Sequence, residues 1–218
     1  MNRRILFATG NEGKMREVRM ILEDLKLPVL SMKEAGIDPD IEENGNSFEE
    51  NALIKARAVA ACAGPGDIVL ADDSGLEIDY LNGEPGIYSA RYMGEDTSYR
   101  IKNANLIERL SGVPKERRTA RFVCAIAAVL PPCGPEAAVP EGLEAGRTGK
   151  TQEFVVRGTV EGYIGWEERG TNGFGYDPIF YVEEYGCSTA ELDSETKNRI
   201  SHRGNALRLC EERLRELL

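Results

Sequence analysis

The most chemically informative stretch of the chain is a pair of adjacent aspartates behind a short apolar run. Ile68–Ala71 predict a buried strand, and Asp72, Asp73, Ser74 and Gly75 follow directly. Adjacent carboxylates repel each other, and burying them costs free energy unless a cation or hydrogen-bond donors compensate the charge. Mg²⁺ with phosphate ligands is one such compensation. A polar turn at the strand end is the alternative, since Asp, Ser and Gly are common turn residues.

A second candidate is the glycine-rich segment between a predicted first strand, Arg4–Ala8, and a predicted first helix, Lys14–Leu25. Its residues are Thr9, Gly10, Asn11, Glu12, Gly13 and Lys14. Glycines let a ligand approach the backbone, free N–H groups at a helix N-terminus attract an anion, and Lys14 adds a positive charge. The spacing matches neither GxxxxGK[ST] nor GxGxxG. A plain connection is the alternative, but α/β sheets usually bind ligands in this position, which favours an anion site.

Acidic and polar residues surround the start of the next predicted helix. Glu42 and Glu43 lie in a segment whose default interpretation is a solvated acidic loop. The run Ser47-Phe48-Glu49-Glu50 has the Ser-x-x-Glu form of a capping box, which predicts a helix N-terminus. Asn51 and Lys55 are one turn apart, so both can face a cleft. A charged helix face in solvent explains them almost as well.

The segment 172–180 interleaves small and aromatic residues. Gly173 and Gly175 flank Phe174 and leave its ring accessible, which suits stacking against a flat heterocycle. Tyr176 and Asp177 follow directly. A buried aromatic turn is the alternative interpretation, and these residues taken alone favour it.

Three potential cations lie close to the predicted start of the last helix, near Ser201. They are Lys197, His202 and Arg203. A helix N-terminus is the positive end of the helix dipole, so cations are unfavourable there. Their presence predicts that an anion or an electron-rich ligand compensates them.

Length, charge and composition narrow the classes of protein. A chain of 218 residues can bury a sizeable core. Its net charge of −10 argues against binding a nucleic-acid backbone, which requires a basic face. The single histidine excludes a multi-histidine metal site, and five widely spaced cysteines argue against zinc and a disulfide framework. No apolar run has transmembrane or secretory length, so a cytoplasmic protein without a membrane partner is expected.

The remaining hydrophobic pattern predicts an α/β protein with a mixed sheet. Strands are predicted at Leu76–Tyr80, Ala120–Leu130 and Glu153–Val160, and a helix at Ser98–Leu110. The stretch Pro131–Lys150 is rich in Pro, Gly, Ala and Glu, which predicts an exposed loop between two strands. One long hairpin within an alternation of strands and helices indicates parallel and antiparallel pairing in one sheet.

These motifs together resemble one family. They are TGNEGK at 9–14, SFEENALIKA at 47–56, ADDSGLEID at 71–79, GEPGIYSARY at 83–92, FGYDPIF at 174–180 and KNRISHRG at 197–204. The chain is similar to inosine/xanthosine triphosphate pyrophosphatases, which hydrolyse deaminated purine nucleoside triphosphates (ITP, dITP, XTP) to the monophosphate and diphosphate. The resemblance covers nearly the whole chain, and the stretch 131–150 is longer than the family's usual hairpin connection.

The resemblance implies a fold and a set of residue roles. It implies one elongated α/β domain over residues 1–218, with a mixed sheet, two lobes and a central substrate cleft, and a homodimer. Glu42 and Asp73 are then the Mg²⁺ ligands, and Asp73 is also the proton acceptor. Thr9–Lys14 bind the triphosphate and Ser74 contacts the substrate. The nucleoside-binding positions are Phe174, Gly175, Tyr176, Asp177, Lys197, His202 and Arg203. A nucleotide-sensing protein without catalysis is the alternative from another class, and the acidic pair argues against it.

Overall fold

One mixed sheet organises the protein. The structure, a computed structural model, describes residues 3–131 and 152–218. Within these ranges seven strands pair in the order β2-β1-β3-β4-β5-β6-β7. The strands are β1 (Arg4–Phe7), β2 (Val29–Ser31), β3 (Asp67–Ile78), β4 (Thr119–Leu130), β5 (Gln152–Ile164), β6 (Phe180–Val182) and β7 (Cys187–Ser188). Strand β1 pairs in parallel with β2 and β3, and the other neighbours are antiparallel, which confirms the predicted mixed α/β class.

Helices lie on both faces of this sheet. They are α1 (Glu12–Ile21), α2 (Met32–Ala35), α3 (Phe48–Cys62), α4 (Tyr99–Arg109), α5 (Ser194–Ile200) and α6 (His202–Leu217). Helix α1 starts two residues earlier than predicted because Asn11 caps it, and a 3₁₀ turn at Leu22–Leu25 extends it. None of the helices in the described part of the chain is long and apolar enough to cross a bilayer.

Strand β3 corrects the prediction of two strands separated by a polar turn. It runs without interruption from Asp67 to Ile78, so Asp72 and Asp73 lie in mid-strand rather than at a strand end. The reason is the long antiparallel partner β4, whose ladder continues past both aspartates to the end of β3. Ladder hydrogen bonds therefore outweigh the turn preference of Asp, Ser and Gly. Strand β1 stops earlier, with its last pair at Phe7 and Leu70.

Alternation along β3 sends its side chains into two separate apolar clusters. Ile68 and Leu70 pack with residues of α1 and α6, including Val18 and Leu207. Val69 and Ala71 instead join the cluster that contains buried residues of α3. Because successive strand residues face opposite sides of a sheet, Asp72 points toward α1 and α6 while Asp73 points toward α3.

Most of the remaining predicted elements are confirmed, with two differences. The returning strand β5 is longer than predicted, ending at Ile164. Ser47 accepts a hydrogen bond from the Glu50 N–H, but the Glu50 carboxylate accepts from Asn46 N, so the predicted capping box is only half formed. The loop predicted for Pro131–Lys150 falls, after Pro131, outside the described residues.

A buried arginine, Arg118, links the start of strand β4 to the end of strand β5. Arg118 is fully buried, and its guanidinium donates three hydrogen bonds to the backbone oxygens of Leu110, Ile164 and Gly165, at 2.7, 2.6 and 2.5 Å. The guanidinium also lies 4.8 Å from the ring centroid of Trp166. Burial lowers the pKa of Arg118. One side chain thus joins the end of α4, the start of β4 and the end of β5.

Replacing Arg118 by methionine tests this role. Arg118→Met keeps an apolar stem but removes the guanidinium donor from three buried carbonyl oxygens, of which Leu110 O keeps a hydrogen bond from Val113 N, so we expect the free energy of unfolding to fall by ~3–5 kcal/mol. The neighbouring Arg117, an exposed residue stacked on Tyr80, supplies the control, and Arg117→Met should cost less than about 1 kcal/mol. Urea unfolding followed by circular dichroism measures both, and equal losses would contradict the assignment.

Candidate active site

A cleft of about 450 Å³ opens where β3 extends past the end of β1. Most residues singled out from the sequence line it, namely Thr9, Gly10, Asn11, Lys14, Ser74, Phe174, Gly175, Tyr176, Asp177, Lys197, His202 and Arg203. Glu12, Gly13, Glu42 and Asp73 do not line it, although Gly13 borders a smaller cavity that Phe174 also lines. The fold therefore brings segments distant in sequence together, and their binding roles remain predictions.

The start of α1 differs from the predicted anion site. Asn11 accepts hydrogen bonds from Gly13 N at 2.8 Å and Lys14 N at 3.1 Å. The hydroxyl of Thr9 in turn accepts from Asn11 N at 3.1 Å. The N–H groups of residues 13 and 14 are therefore already satisfied by the chain itself. The positive charge of Lys14 is the feature of this segment that an anion can use.

Asp72 does not line the cleft itself but pairs with two cations that do, Lys14 and Arg203. Its carboxylate is buried and lies 2.9 Å from Lys14 Nζ, and it accepts hydrogen bonds from Ser74 Oγ at 3.1 Å and Arg203 Nε at 3.3 Å. Burial alone favours the neutral acid, but Lys14, Arg203 and Lys55 outweigh burial and hold the pKa of Asp72 well below its usual range. Asp72 is therefore ionised and holds two cations in place.

Asp73 lies on the opposite face of β3, among different partners. Its Oδ2 accepts a hydrogen bond from Asn51 Nδ2 at 3.2 Å. The pKa of Asp73 is raised to about 6, chiefly by burial and in smaller part by the charges of Glu43 and Asp72, against the lowering effects of Lys55 and Asn51. Lys55 Nζ is shared between Glu43 Oε1 and the Asp72 carbonyl oxygen, both at 3.0 Å. The Asp73 carboxylate therefore has a negative charge that its surroundings compensate only in part.

The residues near Asp73 fit a hard divalent cation. A partly buried carboxylate beside an acidic loop offers oxygen ligands, which Mg²⁺ prefers, together with the water and phosphate ligands it usually keeps. The under-compensated charge of Asp73 is the observation that supports this fit. Glu42, the other predicted ligand, is exposed, while Glu43 is the loop residue whose charge acts on Asp73. No group of three or more Asp, Glu, His or Cys side chains is pre-arranged for a metal ion in the described ranges.

The sequence predicted three cations at one helix N-terminus, and the structure corrects this prediction. The chain forms two helices there, which Ser201 separates, and Lys197 lies in the last turn of α5, where a cation is favourable. Lys197 Nζ donates to Asp177 Oδ2 at 2.6 Å. Burial, aided by Arg203 and Lys197, holds the pKa of His202 well below its usual range, so His202 is neutral.

The neutral His202 and the charged Arg203 start α6 side by side. The His202 ring stacks on Phe122 with centroids 4.8 Å apart, and its Nδ1 is buried without a hydrogen-bond partner in the described structure. Arg203 Nη1 lies 2.5 Å from Glu17 Oε2, in addition to the contact with Asp72. The unfavourable position of Arg203 at a helix N-terminus is thus compensated by two carboxylates of the chain itself.

Phe174 is accessible rather than buried. Its exposed fraction is 40%, whereas Tyr176 is buried and donates a hydrogen bond to the Ser89 carbonyl oxygen at 2.7 Å. The cationic groups of Lys197 and Arg203 lie 5.2 and 5.7 Å from the Phe174 ring centroid. The buried aromatic turn that the local sequence favours is therefore correct for Tyr176 and wrong for Phe174. An open ring between two cations suits an electron-rich, flat ligand.

Several residues that line the cleft carried no signal in the sequence. Phe122 lies within an ordinary apolar strand, and Tyr99 begins a helix with no neighbouring motif. Glu17, which holds Arg203, follows Lys14 by one turn on α1. The one-turn spacing from Lys14 was the only sequence signal for Glu17. It does not indicate a contact with Arg203, which lies much later in the chain.

This combination defines a class: mixed α/β proteins with a polar cleft at the end of a parallel strand pair, cationic at one wall and aromatic at another.

The sequence profile of the Ham1 family matches residues 5–213, and the chain belongs to that family. It is 48% identical to a dITP/XTP pyrophosphatase from Bacillus licheniformis, with 94% of each chain covered. Among solved structures, a HAM1 protein from Coxiella burnetii has a TM-score of 0.80 at 38% identity, covering 99% of this chain and 100% of its own. The Staphylococcus aureus Ham1 protein has a TM-score of 0.78 at 40% identity, with the same coverage.

The contribution of Asp72 to stability can be measured by neutralising it. Asp72→Asn keeps the shape but leaves Lys14 and Arg203 without their buried counter-charge, so we expect the free energy of unfolding to fall by ~3–5 kcal/mol at pH 7. The exposed Asp79 pairs with Arg121 at the surface, so Asp79→Asn should cost less than about 1 kcal/mol. Because the folded-state pKa of Asp72 is lowered, the difference between wild type and Asp72→Asn should shrink as the pH falls below about 4. Urea titrations at several pH values would contradict this if the difference stayed constant.

Proposed function

We propose that this protein hydrolyses deaminated purine nucleoside triphosphates, ITP, dITP and XTP, to the monophosphate and diphosphate, and so removes them from the nucleotide pool. The observation that carries the proposal is one cleft lined by the open Phe174 ring and by Lys14, whose ion pair with the buried Asp72 forms a charged cluster. The ring suits a purine and the cluster suits phosphates. Relatives named dITP/XTP pyrophosphatases, at 48% and 45% identity, support the same substrate class.

The proposed roles follow the chemistry of each side chain. Lys14 and the loop that precedes it bind the triphosphate, and Ser74 contacts it from β3. Asp73 positions a water and accepts its proton as the water attacks the α-phosphorus, a role that suits a carboxylate whose pKa of about 6 lies close to neutral pH. The diphosphate leaves without a covalent enzyme intermediate. Catalysis then rests on positioning and charge neutralisation.

We propose Mg²⁺ as the cofactor, with Glu42 and Asp73 as the residues that would hold it. When bound, the ion would neutralise phosphate charge and polarise a phosphoryl oxygen. The exposed position of Glu42 leaves its carboxylate free of other partners that the structure describes, so it can turn toward a cation. A cytoplasmic homodimer acting on small molecules, without nucleic acid or membrane, completes the proposal, and the net charge of −10 supports the absence of a nucleic-acid partner.

The products from ITP test the function directly. With Mg²⁺ we expect IMP and diphosphate in equal amounts, without IDP or orthophosphate, and ¹⁸O from labelled water should appear in IMP. Asp73→Asn keeps the shape and removes the proton acceptor, so the rate of diphosphate release should fall by ~10²–10⁴. Label in the diphosphate would move the attack to the β-phosphorus. Binding of ITP without any product would instead favour a nucleotide-sensing protein.

Base choice provides a second test. Hypoxanthine and xanthine present oxygen at position 6, where adenine has an amino group, and Arg203 is a donor-only side chain. Donors left unpaired against adenine allow rejection by ~10²–10⁴. Arg203→Ala should therefore reduce kcat/KM for ITP far more than for ATP. Guanine shares the O6/N7 edge, so its exclusion depends on other groups.

Steady-state kinetics with ITP, XTP, GTP and ATP measures this effect. Arg208 is the matched control, because it lies on the same helix and donates to the backbone oxygens of Asn198 and Arg199. Arg208→Ala should leave the ratio of ITP to ATP unchanged. A proportional fall on all four substrates in Arg203→Ala would mean that Arg203 serves the phosphates instead of the base.

A further inference from the structure

Helix α3 carries a buried amide that joins the two parts of the candidate cation site. Asn51 is 1% exposed and lies in the first turns of this helix. Its Oδ1 accepts a hydrogen bond from Gly45 N at 2.8 Å, and its Nδ2 donates to Asp73 Oδ2 at 3.2 Å. The acidic loop that bears Glu42 and Glu43 and the carboxylate of β3 are thus held by opposite ends of one side chain.

The loop lies against the helix so closely that only glycine fits at position 45. A Cβ at Gly45 would lie 2.7 Å from Glu50 Cβ, 2.8 Å from Asn51 Oδ1 and 3.0 Å from Asn51 N. Contacts below 3.0 Å force a backbone or a side chain to move. The next N–H, that of Asn46, donates to Glu50 Oε2 at 2.7 Å, so two successive amides tie the loop to the helix. This close approach is independent of the hydrogen bond to Asp73.

An amide is the group that this position requires. The partly buried Asp73 carboxylate accepts from Ser74 N on Oδ1 at 3.0 Å and needs a second donor on Oδ2, and the loop N–H needs an acceptor. Asn supplies both from one planar group without adding charge, whereas Asp would add a further carboxylate and Leu would leave two polar groups unpaired. Lys55, one turn further along α3, contacts Glu43 of the loop and the Asp72 carbonyl oxygen of β3. The same face of the helix therefore contacts both the loop and strand β3 at two successive turns.

We infer that Asn51 is a positioning residue for the proposed reaction: its amide holds the Asp73 carboxylate and the 42–45 loop at the separation at which both can bind one cation. This inference rests on the proposed function and deepens it. Asn51 touches neither the nucleoside wall nor the Lys14 segment in the contacts that the structure describes. Its loss should therefore weaken the action of the metal and leave base recognition intact.

The test measures how strongly Mg²⁺ and nucleotide support each other's binding. The dissociation constant of α,β-methylene-ITP, which cannot be cleaved at the α-phosphorus, is measured by calorimetry with and without saturating Mg²⁺. For Asn51→Ala we expect the Mg²⁺-dependent gain in affinity to fall by ~10–100-fold, the range typical of lost supporting contacts around metal ligands. The affinity without Mg²⁺ should stay within about twofold of the wild type. In turnover of ITP with Mg²⁺, kcat should fall and KM should rise, because the nucleotide loses the affinity that the metal supplies.

Two further variants separate positioning from general damage. Gly45→Ala displaces the loop without touching Asp73 and should reduce the Mg²⁺-dependent gain in the same direction. Ser47→Ala removes the N-cap of the same helix, at a cost of about 1 kcal/mol, and should leave that gain unchanged. If Asn51→Ala and Gly45→Ala keep the wild-type gain, or if Ser47→Ala loses it equally, the positioning role is wrong. A wild type that neither binds the analogue nor releases diphosphate from ITP would overturn the proposed function itself.

Discussion

The unequal length of two paired strands is the constraint on which the rest of the site depends. Strand β1 ends at Phe7, but β3 continues to Ile78 because β4 supports its other edge. Beyond Leu70 the edge of β3 that faced β1 is open to side chains and ligands. Lys55 uses this edge to reach the Asp72 carbonyl oxygen, and the chain after β1 turns across it to begin α1. A cleft therefore forms inside a continuous sheet without a break in its ladder.

Asp72 and Asp73 have different electrostatic surroundings because they lie on opposite faces of β3. Asp72 faces α1 and α6, where it meets cations, and its pKa is lowered. Asp73 faces α3, where burial dominates, and its pKa is raised to about 6. Two carboxylates that are neighbours in sequence thus differ in protonation behaviour because strand geometry gives them different surroundings. One can act as a fixed charge, and the other is able to exchange a proton near neutral pH.

The sequence predicted the strongly patterned elements and the composition of the site, because both depend on local periodicity and residue type. Helices α4 and α6 and strand β4 were predicted to within a residue or two. The polar turn at Asp72 and Asp73 was wrong, since a distant strand overrides local turn preference. The start of the last helix near Ser201 was correct, but the placement of Lys197 there was wrong, because Ser194–Ile200 form a separate helix that ends at Ser201. Partnerships between distant residues, such as Arg203 with Glu17 or Asn51 with Asp73, depend on the fold and have no local pattern.

Asp72 also has a consequence for how the cleft treats different anions. Its carboxylate is tethered beside Lys14, so it competes for this cation at the high effective concentration of an intramolecular group. A ligand with one weakly basic anionic group would gain little by displacing a partner that is always present. A ligand with several phosphates could contact Lys14 through oxygens while its other phosphates gain contacts elsewhere. The built-in counter-charge thus discriminates by the number of charges a ligand carries, before any base is recognised.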